Sequence, residues 1–363
     1  MIALKNHACV RAVTKNSTCT KCKDICPSEA ITIDAILPTL MLSKCVGCSG
    51  CNAICPSEAL VVDNFSSTEF FFDFVSKEEN IISCKSNVPC ISAISAENLL
   101  SLTLMKGDII FDMSHCSNCQ LAHTLEPQIQ KNCDEVNYIL EAMQKDSRVK
   151  LDFTIKEEDS KEENKPDRRE FLNNFSLSGA GKQKQNFDRA VEIETVEAKE
   201  HSLSNVDTAA MRSKSLQDSR KILFTALKRV TAPEIFHVIE AKEISFMSEK
   251  NIELDTCTNC QMCYRICPTK ALTSDYKNSR IDFDAGLCIK CTACHDVCEP
   301  NSITLKDTFK IENFFNAKVE NLAKFTVRKC NECENYFTYR GGEVTCERCR
   351  VEEDEAKELW GLK

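Results

Sequence analysis

The sequence predicts an α+β protein that is built from several small units. Its 363 residues include 25 cysteines, which fall almost entirely in C-x2-C and C-x3-C spacings. Four stretches repeat a cysteine loop, a helical turn and a strand, whereas the chain between them alternates longer strands and helices. We therefore predict region I (1–65), a small α/β middle domain (66–150), a charged linker with short helices (151–245), region II (246–312) and a C-terminal segment (325–363).

The cysteine pattern favours metal binding over disulfides. The total is odd, the spacings are those of metal ligands, and the first residues, MIALKNHACVRAV, lack the apolar core of a secretory signal. No run of 18 apolar residues occurs, so we expect no transmembrane segment. We therefore expect a cytoplasmic protein that keeps its thiolates for metals.

The net charge indicates the kind of partner. The chain carries a formal charge of −9, which repels the phosphates of nucleic acids. The same charge favours docking to a cationic patch on another protein. We expect a protein partner and no nucleic acid.

Regions I and II each contain a motif with a mechanical purpose. The run C-x2-C-x2-C-x3-C-P occurs at Cys257–Cys267 and at Cys45–Cys55, and Cys288–Cys298 is a variant with its proline displaced to Pro300. Three thiolates on one tight loop each reach a different iron of a cubane, and the fourth iron is left for a cysteine of another loop. The proline then ends the loop and begins a helical turn.

These motifs resemble the bacterial two-[4Fe–4S] ferredoxin family. Four half-repeats carry the resemblance, namely "CPSEAITID", "CPSEALVVD", "CPTKALTSD" and "CEPNSITLKD". Together they cover about 130 residues, a little over a third of the chain. The resemblance implies two ferredoxin-like dicluster modules, one in each region, and four [4Fe–4S] clusters.

The crossed ligation of that family implies four cysteine quartets. Each takes three cysteines from one loop and the last from the other loop of the same region. They are quartet A (Cys9, Cys19, Cys22, Cys55), quartet B (Cys45, Cys48, Cys51, Cys26), quartet C (Cys257, Cys260, Cys263, Cys298) and quartet D (Cys288, Cys291, Cys294, Cys267).

Quartet A departs from the family pattern. Nine residues separate Cys9 from Cys19, where the family has two. A longer surface loop would bring Cys9 to the cluster. The alternative is a free Cys9 with an incomplete or three-iron cluster.

The middle domain holds a further group, quartet M (Cys84, Cys90, Cys116, Cys119). We predict strands at Phe70–Val75, Asn80–Cys84 and Asp108–Met113, with helices at Ala96–Lys106 and from Leu121 onward. A mostly parallel sheet would place quartet M near the carboxyl ends of strands, where such folds hold their sites. A fifth metal or [2Fe–2S] site, a dithiol pair, and buried cysteines without a metal all remain open; Cys133 has no partner pattern.

The C-terminal segment resembles a zinc ribbon. Two C-x2-C pairs, twelve residues apart, form quartet Z (Cys330, Cys333, Cys346, Cys349), and Gly341 and Gly342 suit a turn between them. A tetrathiolate iron site is the alternative. The acidic tail that follows is predicted to be a helix.

The remaining sequence contains no sign of catalysis. The linker includes the charge run Lys156–Glu170 and an amphipathic stretch with Ile222, Leu223 and Leu227. No phosphate-binding, dinucleotide or flavin fingerprint is present. We expect an electron-transfer protein without a catalytic site of its own, relaying low-potential single electrons to or from an oxidoreductase. The alternatives are a subunit of a formate dehydrogenase or hydrogenase complex, and a cluster-bearing assembly or maturation factor.

Overall fold

The computed structural model describes residues 2–155 and 214–361. It mixes short helices with small sheets of two or three strands, which agrees with the predicted α+β class. The charge run Lys156–Glu170 lies outside the described residues. Within the described ranges, no helix has both the length and the apolarity that crossing a bilayer requires.

Region I is organised by two antiparallel strand pairs. The strand before the first cysteine pairs with the strand after the last, and a second pair lies between the two cysteine loops. Its elements are β1 (Ile2–Leu4), α1 (Val10–Val13), α2 (Lys21–Asp24), β2 (Ile31–Thr32), β3 (Thr39–Leu40), α3 (Gly50–Ile54) and β4 (Leu60–Val62). The apolar side chains of Ile2, Ile31 and Leu60 are buried between these pairs.

Region II repeats this topology. Its first strand again pairs with the strand after its last cysteine, and an inner hairpin lies between the loops. Its elements are β9 (Lys250–Ile252), α8 (Met262–Ile266), β10 (Leu272–Thr273), β11 (Arg280–Asp284), α9 (Ala293–Asp296) and β12 (Ile303–Leu305). A strand from beyond residue 312, β14 (Val319–Lys324), joins the inner hairpin through β11.

The middle domain has a parallel sheet of three strands. The strands β5 (Ile81–Ser83), β6 (Ile109–Asp112) and β7 (Val149–Asp152) are ordered β5–β6–β7, and the helices α5 (Ala96–Lys106) and α6 (Ala122–Ala142) follow β5 and β6 along the chain. The sheet agrees with the predicted parallel arrangement.

The predicted strand at Phe70–Val75 is wrong, because these residues lie in helix α4 (Ser67–Ser76). Ser66 caps the helix, since its hydroxyl accepts a hydrogen bond from the N–H of Glu69. The buried phenylalanines Phe70 and Phe74 are four residues apart and stack on each other. Aromatic residues favour strands on average, but the cap and this helical spacing decide the outcome here.

The remaining described elements connect region II to its neighbours. Helix α7 (Asp218–Leu227), in the predicted linker, packs on α5, and β8 (Val238–Glu240) pairs with β13 (Thr308–Lys310). The last elements are α10 (Glu312–Phe315), β15 (Val327–Lys329), β16 (Tyr336–Thr338) and α11 (Glu347–Trp360). Because α7 is buried on one face, part of the predicted linker belongs to the folded core.

Arg220 of α7 joins the middle domain to region II. Its side chain is fully buried and forms a salt bridge with Glu97 of α5. The guanidinium also donates to the carbonyl oxygens of Gly286, Cys288 (3.1 Å) and Phe246 (2.8 Å). A planar guanidinium can donate several hydrogen bonds at once, so one side chain connects three parts of the chain.

Replacing Arg220 by Ala is expected to destabilise the protein by about 3–5 kcal/mol, because Glu97 would keep a buried charge without its partner. Anaerobic chemical denaturation, followed by far-UV circular dichroism, measures the change. Lys221→Ala is the matched control, since Lys221 is exposed on the same helix, and it should change stability by no more than about 0.5 kcal/mol. Equal effects of the two substitutions would contradict this role.

Candidate iron–sulfur sites

Three of the cysteine loops share one backbone conformation. The residue before the second cysteine is left-handed in each loop, with φ of 68° at Gly47, 55° at Asn259 and 47° at Lys290. The residue after the second cysteine is also left-handed, at Ser49, Gln261 and Thr292. Residues with a side chain rarely adopt this conformation, so its recurrence indicates one shared loop shape.

A second shared turn follows the last cysteine of each run. The third residue after it has a positive φ in all four half-repeats, at Glu29, Glu58, Lys270 and Asn301. In three half-repeats the next N–H donates to the cysteine sulfur: Ala30 to Cys26 at 3.2 Å, Ala59 to Cys55 at 3.3 Å and Ser302 to Cys298 at 3.2 Å. Such hydrogen bonds stabilise thiolates and tune the potential of a bound cluster.

The cysteines of each implied quartet lie near one another. Burial raises the pKa of Cys291 in quartet D to about 12, and the neighbouring thiolates of Cys288, Cys294 and Cys267 add to this effect. The same combination of burial and neighbouring thiolates acts on Cys51 of quartet B and on Cys257 of quartet C. Buried thiolates that repel one another are stabilised by a bound cation, so each quartet suits a metal group.

Quartets B, C and D each surround a small cavity with apolar walls. Ile31 and Val62 complete the cavity of quartet B, Ile281 and Ile303 that of quartet C, and Leu272 and Phe283 that of quartet D. Four thiolates around a space with an apolar shell are the donor set of a [4Fe–4S] cluster. When bound, such a cluster accepts and donates one electron at a time.

Quartet A includes Cys9 despite the long loop. Cys9 is buried, and burial together with the thiolates of Cys55 and Cys19 raises its pKa to about 11. Arg11 holds the loop by donating to the carbonyl oxygens of Ile36 at 2.6 Å, Ser17 at 2.7 Å and Cys19 at 3.0 Å. Cys9 therefore lies beside Cys19 and Cys55, and its role as a ligand stays a prediction.

Adjacent quartets face each other within each region. Burial raises the pKa of Cys51 in quartet B to about 12, and the thiolate of Cys22 in quartet A contributes. Cys263 of quartet C and Cys294 of quartet D stand in the same relation, with the pKa of Cys263 again raised to about 12. Helix α2 contacts α3 in region I and α8 contacts α9 in region II, so both regions bring their two quartets together in the same way.

Quartet A also lies at the contact between regions I and II. The N–H and hydroxyl of Thr18 donate to the carboxylate of Asp296, at 3.3 and 3.0 Å. Helix α1 contacts helix α9. Burial lowers the pKa of Lys290, in the quartet D loop, and the nearby charge of Lys21 lowers it further. Quartets A and D are thus the neighbours across this contact.

Quartet Z has a tighter geometry than the other quartets. Among the described residues, it is the group whose ligand atoms all lie within 4.8 Å of one another. The Sγ atoms of Cys333 and Cys346 are 3.7 Å apart. A tetrahedral zinc with Zn–S bonds of about 2.3 Å would place its sulfurs about 3.8 Å apart, so quartet Z fits a single ion. Four cysteines whose sulfurs lie farther apart leave room for the iron and sulfide atoms of a cluster.

The C-terminal segment packs on the loop of quartet C. Arg340 donates to the carbonyl oxygen of Cys257 at 2.9 Å, and the Asn259 amide donates to the Thr338 hydroxyl, also at 2.9 Å. The C-terminal segment is therefore in contact with region II.

Quartet M converges at the carboxyl edge of the parallel sheet. Cys84 follows β5, Cys116 and Cys119 follow β6, and the Ser83 hydroxyl donates to Asp112 across the two strand ends at 2.8 Å. Burial raises the pKa of Cys116 to about 12, with contributions from the thiolates of the other three members.

Quartet M also lies beside quartet B. Cys90 is close enough to add to the raised pKa of Cys48, after burial as the main cause. By contrast, Cys133 is buried in the apolar core with Ile129 and Val136, and no other cysteine contributes to its raised pKa. The structure thus separates quartet M from the isolated Cys133.

One residue near quartet D gave no signal in the sequence. Lys250 is buried in β9, and although burial opposes its charge, the thiolates of Cys288, Cys294 and Cys291 raise its pKa. Ser248 lies 3.3 Å from the sulfur of Cys288. A single lysine in a short strand has no recognisable pattern, so only the fold could reveal this position.

Comparison with known families identifies part of the chain. Residues 249–299 match the 4Fe-4S dicluster domain, and this range contains all eight cysteines of quartets C and D. The whole chain found no match among curated proteins. The dicluster domain supports [4Fe–4S] binding and iron–sulfur electron transfer for this protein.

Replacing Cys267 by Ser is expected to damage the cluster of quartet D, although Cys267 belongs to the sequence run of quartet C. Anaerobic iron analysis should show a loss of up to about four irons per chain, and low-temperature EPR of the reduced protein should lose one cluster signal. Cys133→Ala is the control for loss of a buried thiol and should retain full iron content. Loss of the quartet C signal instead would contradict crossed ligation.

Proposed function

We propose that this chain is a multi-cluster electron relay with four [4Fe–4S] clusters, one in each of quartets A to D. The matched dicluster domain supports the clusters of region II. For region I, the support is its equivalent strand pairing and the equivalent contact between its two quartets. The observation that carries the proposal is that the segment of quartet A contacts α9, which carries Cys294 of quartet D, so the two pairs of quartets can form one series.

Two further metal sites extend the series. We assign zinc to quartet Z, because its sulfurs are close enough for one tetrahedral ion. We assign a fifth metal or [2Fe–2S] site to quartet M, since four cysteines from separate segments meet there beside quartet B. The resulting order is M, B, A, D, C and Z, in which zinc is structural because it carries no electron.

The surface suits a protein partner rather than a nucleic acid. The net charge of −9 favours a cationic docking site, and a cytoplasmic location agrees with a chain rich in reduced thiols. Helix α11 is acidic, and its last residues Leu359 and Trp360 are 85% and 79% exposed. This exposed end favours membership of a larger oxidoreductase complex as the second candidate function.

The isolated chain is expected to exchange electrons with dithionite or viologens but not to oxidise formate, hydrogen or a reduced nicotinamide nucleotide. A single cluster carries one electron and accepts no hydride. Stopped-flow absorbance measures the exchange, and a coupled assay with a partner oxidoreductase should turn over at a rate that falls as salt rises.

Turnover of any of these substrates by the isolated chain would contradict the proposal. The control is the same chain after removal of its clusters by an iron chelator, which should lose the exchange with viologens. A partner rate that does not respond to salt would contradict docking through the acidic surface.

A further inference from the structure

A central cavity lies where region I, the middle domain, α7 and region II meet. Its volume is about 500 Å³, and Cys55, Asn98, Lys131 and Ile289 are among the residues that line it. Sites for small molecules commonly have volumes of about 300–1,000 Å³. The cavity is flanked by the ligand loops of quartets A and D, through Cys55 and through Ile289, which follows Cys288.

The walls of the cavity hold buried polar atoms without partners. The hydroxyl of Ser92 and the amide oxygens of Asn98 and Gln217 form no hydrogen bond within the described residues. Ser92 is 3% and Asn98 5% exposed. An unpaired buried polar group costs about 1–3 kcal/mol, so each of these side chains would gain by turning toward a hydrogen-bonding ligand in the cavity.

Each acidic side chain that lines the cavity already forms a salt bridge or accepts a hydrogen bond within the protein. Glu97 pairs with Arg220, and Glu58 accepts hydrogen bonds from the N–H groups of Asp218 (3.0 Å) and Ser219 (2.9 Å). Asp24, the third acid, accepts from the hydroxyl of Thr20 at 2.5 Å.

The two lysines that line the cavity lack such partners in residues 2–155 and 214–361. Within the described part of the chain, neither Lys21 nor the exposed Lys131 forms an ion pair, although the charge of Lys131 lowers the pKa of Glu135, which burial raises to about 7.

The first turn of α5, from Ala96, also lines the cavity. The Ser95 hydroxyl caps this helix by accepting from the N–H of Asn98 at 3.2 Å, which leaves the N–H groups of Ala96 and Glu97 without an acceptor among the described residues. The lysines and the N–H groups of the first turn therefore favour binding of an anion in the cavity.

We infer that the central cavity binds a small polar molecule that carries an oxyanion together with a hydroxyl or amine. Lys131 and the start of α5 bind the oxyanion, while Ser92, Asn98 and Gln217 pair with the hydroxyl or amine. This binding site goes beyond the electron relay and does not depend on it. A molecule bound here would lie between the ligand loops of quartets A and D.

Anaerobic isothermal titration calorimetry on the full, cluster-loaded chain tests the inference with three probes. L-malate combines oxyanions with a hydroxyl, inorganic phosphate supplies an oxyanion alone, and erythritol supplies only hydroxyls. Malate is expected to bind saturably, phosphate more weakly, and erythritol not at all. Malate binding equal to erythritol binding would overturn the inference.

Variants separate the two kinds of contact. Lys131→Met should weaken malate and phosphate about tenfold, whereas Ser92→Ala should weaken malate more than phosphate. Lys228→Met makes the same change at an exposed lysine that does not line the cavity, and it should leave binding unchanged. Unaltered cluster absorbance verifies that each variant is folded. An equal effect of Lys131→Met and Lys228→Met would overturn the assignment.

Discussion

Each of the quartets A to D gathers four cysteines from separated parts of the chain, and this constraint governs the fold of both cysteine-rich regions. Three thiolates come from one loop, and the fourth comes from the end of the other loop, so neither loop completes a site alone. Strands before the first and after the last cysteine pair with each other and close the region around both sites. The left-handed turns at Gly47, Asn259 and Lys290 then shape the loops themselves. A bound cluster therefore links the two halves of a region as a covalent staple would, which compensates for the small apolar core of such units.

The regions are held in place by the elements between them. Arg220 connects α5 of the middle domain to the quartet D loop, and Thr18 connects the loop of quartet A to α9. These contacts differ in strength, because Arg220 is fully buried whereas the Thr18–Asp296 contact is exposed to water. The buried contacts of Arg220 thus fix the relative placement of the middle domain and region II. The Thr18–Asp296 contact orders the chain locally beside quartet A, where electrons would pass between regions I and II.

The sequence could predict the local features of the sites but not their mutual placement. The spacing C-x2-C-x2-C-x3-C-P is local, so the sequence alone predicts the loop that it forms. The alternation of strands and helices likewise predicts the parallel sheet. Three consecutive phenylalanines wrongly predict a strand at α4, whereas the cap at Ser66 and the burial of Phe70 and Phe74 favour a helix. Arg220, Lys250 and the central cavity depend on segments far apart in the chain, so no local pattern could reveal them.

Metal stoichiometry tests the central claim most directly, because every step of the proposed relay requires a filled quartet. Iron, acid-labile sulfide and zinc should be measured per chain on protein that is prepared without oxygen. The account predicts about sixteen irons from quartets A to D at four per cluster, any further metal from quartet M, and one zinc from quartet Z. Eight or fewer irons in fully loaded protein would remove one dicluster region and contradict the relay.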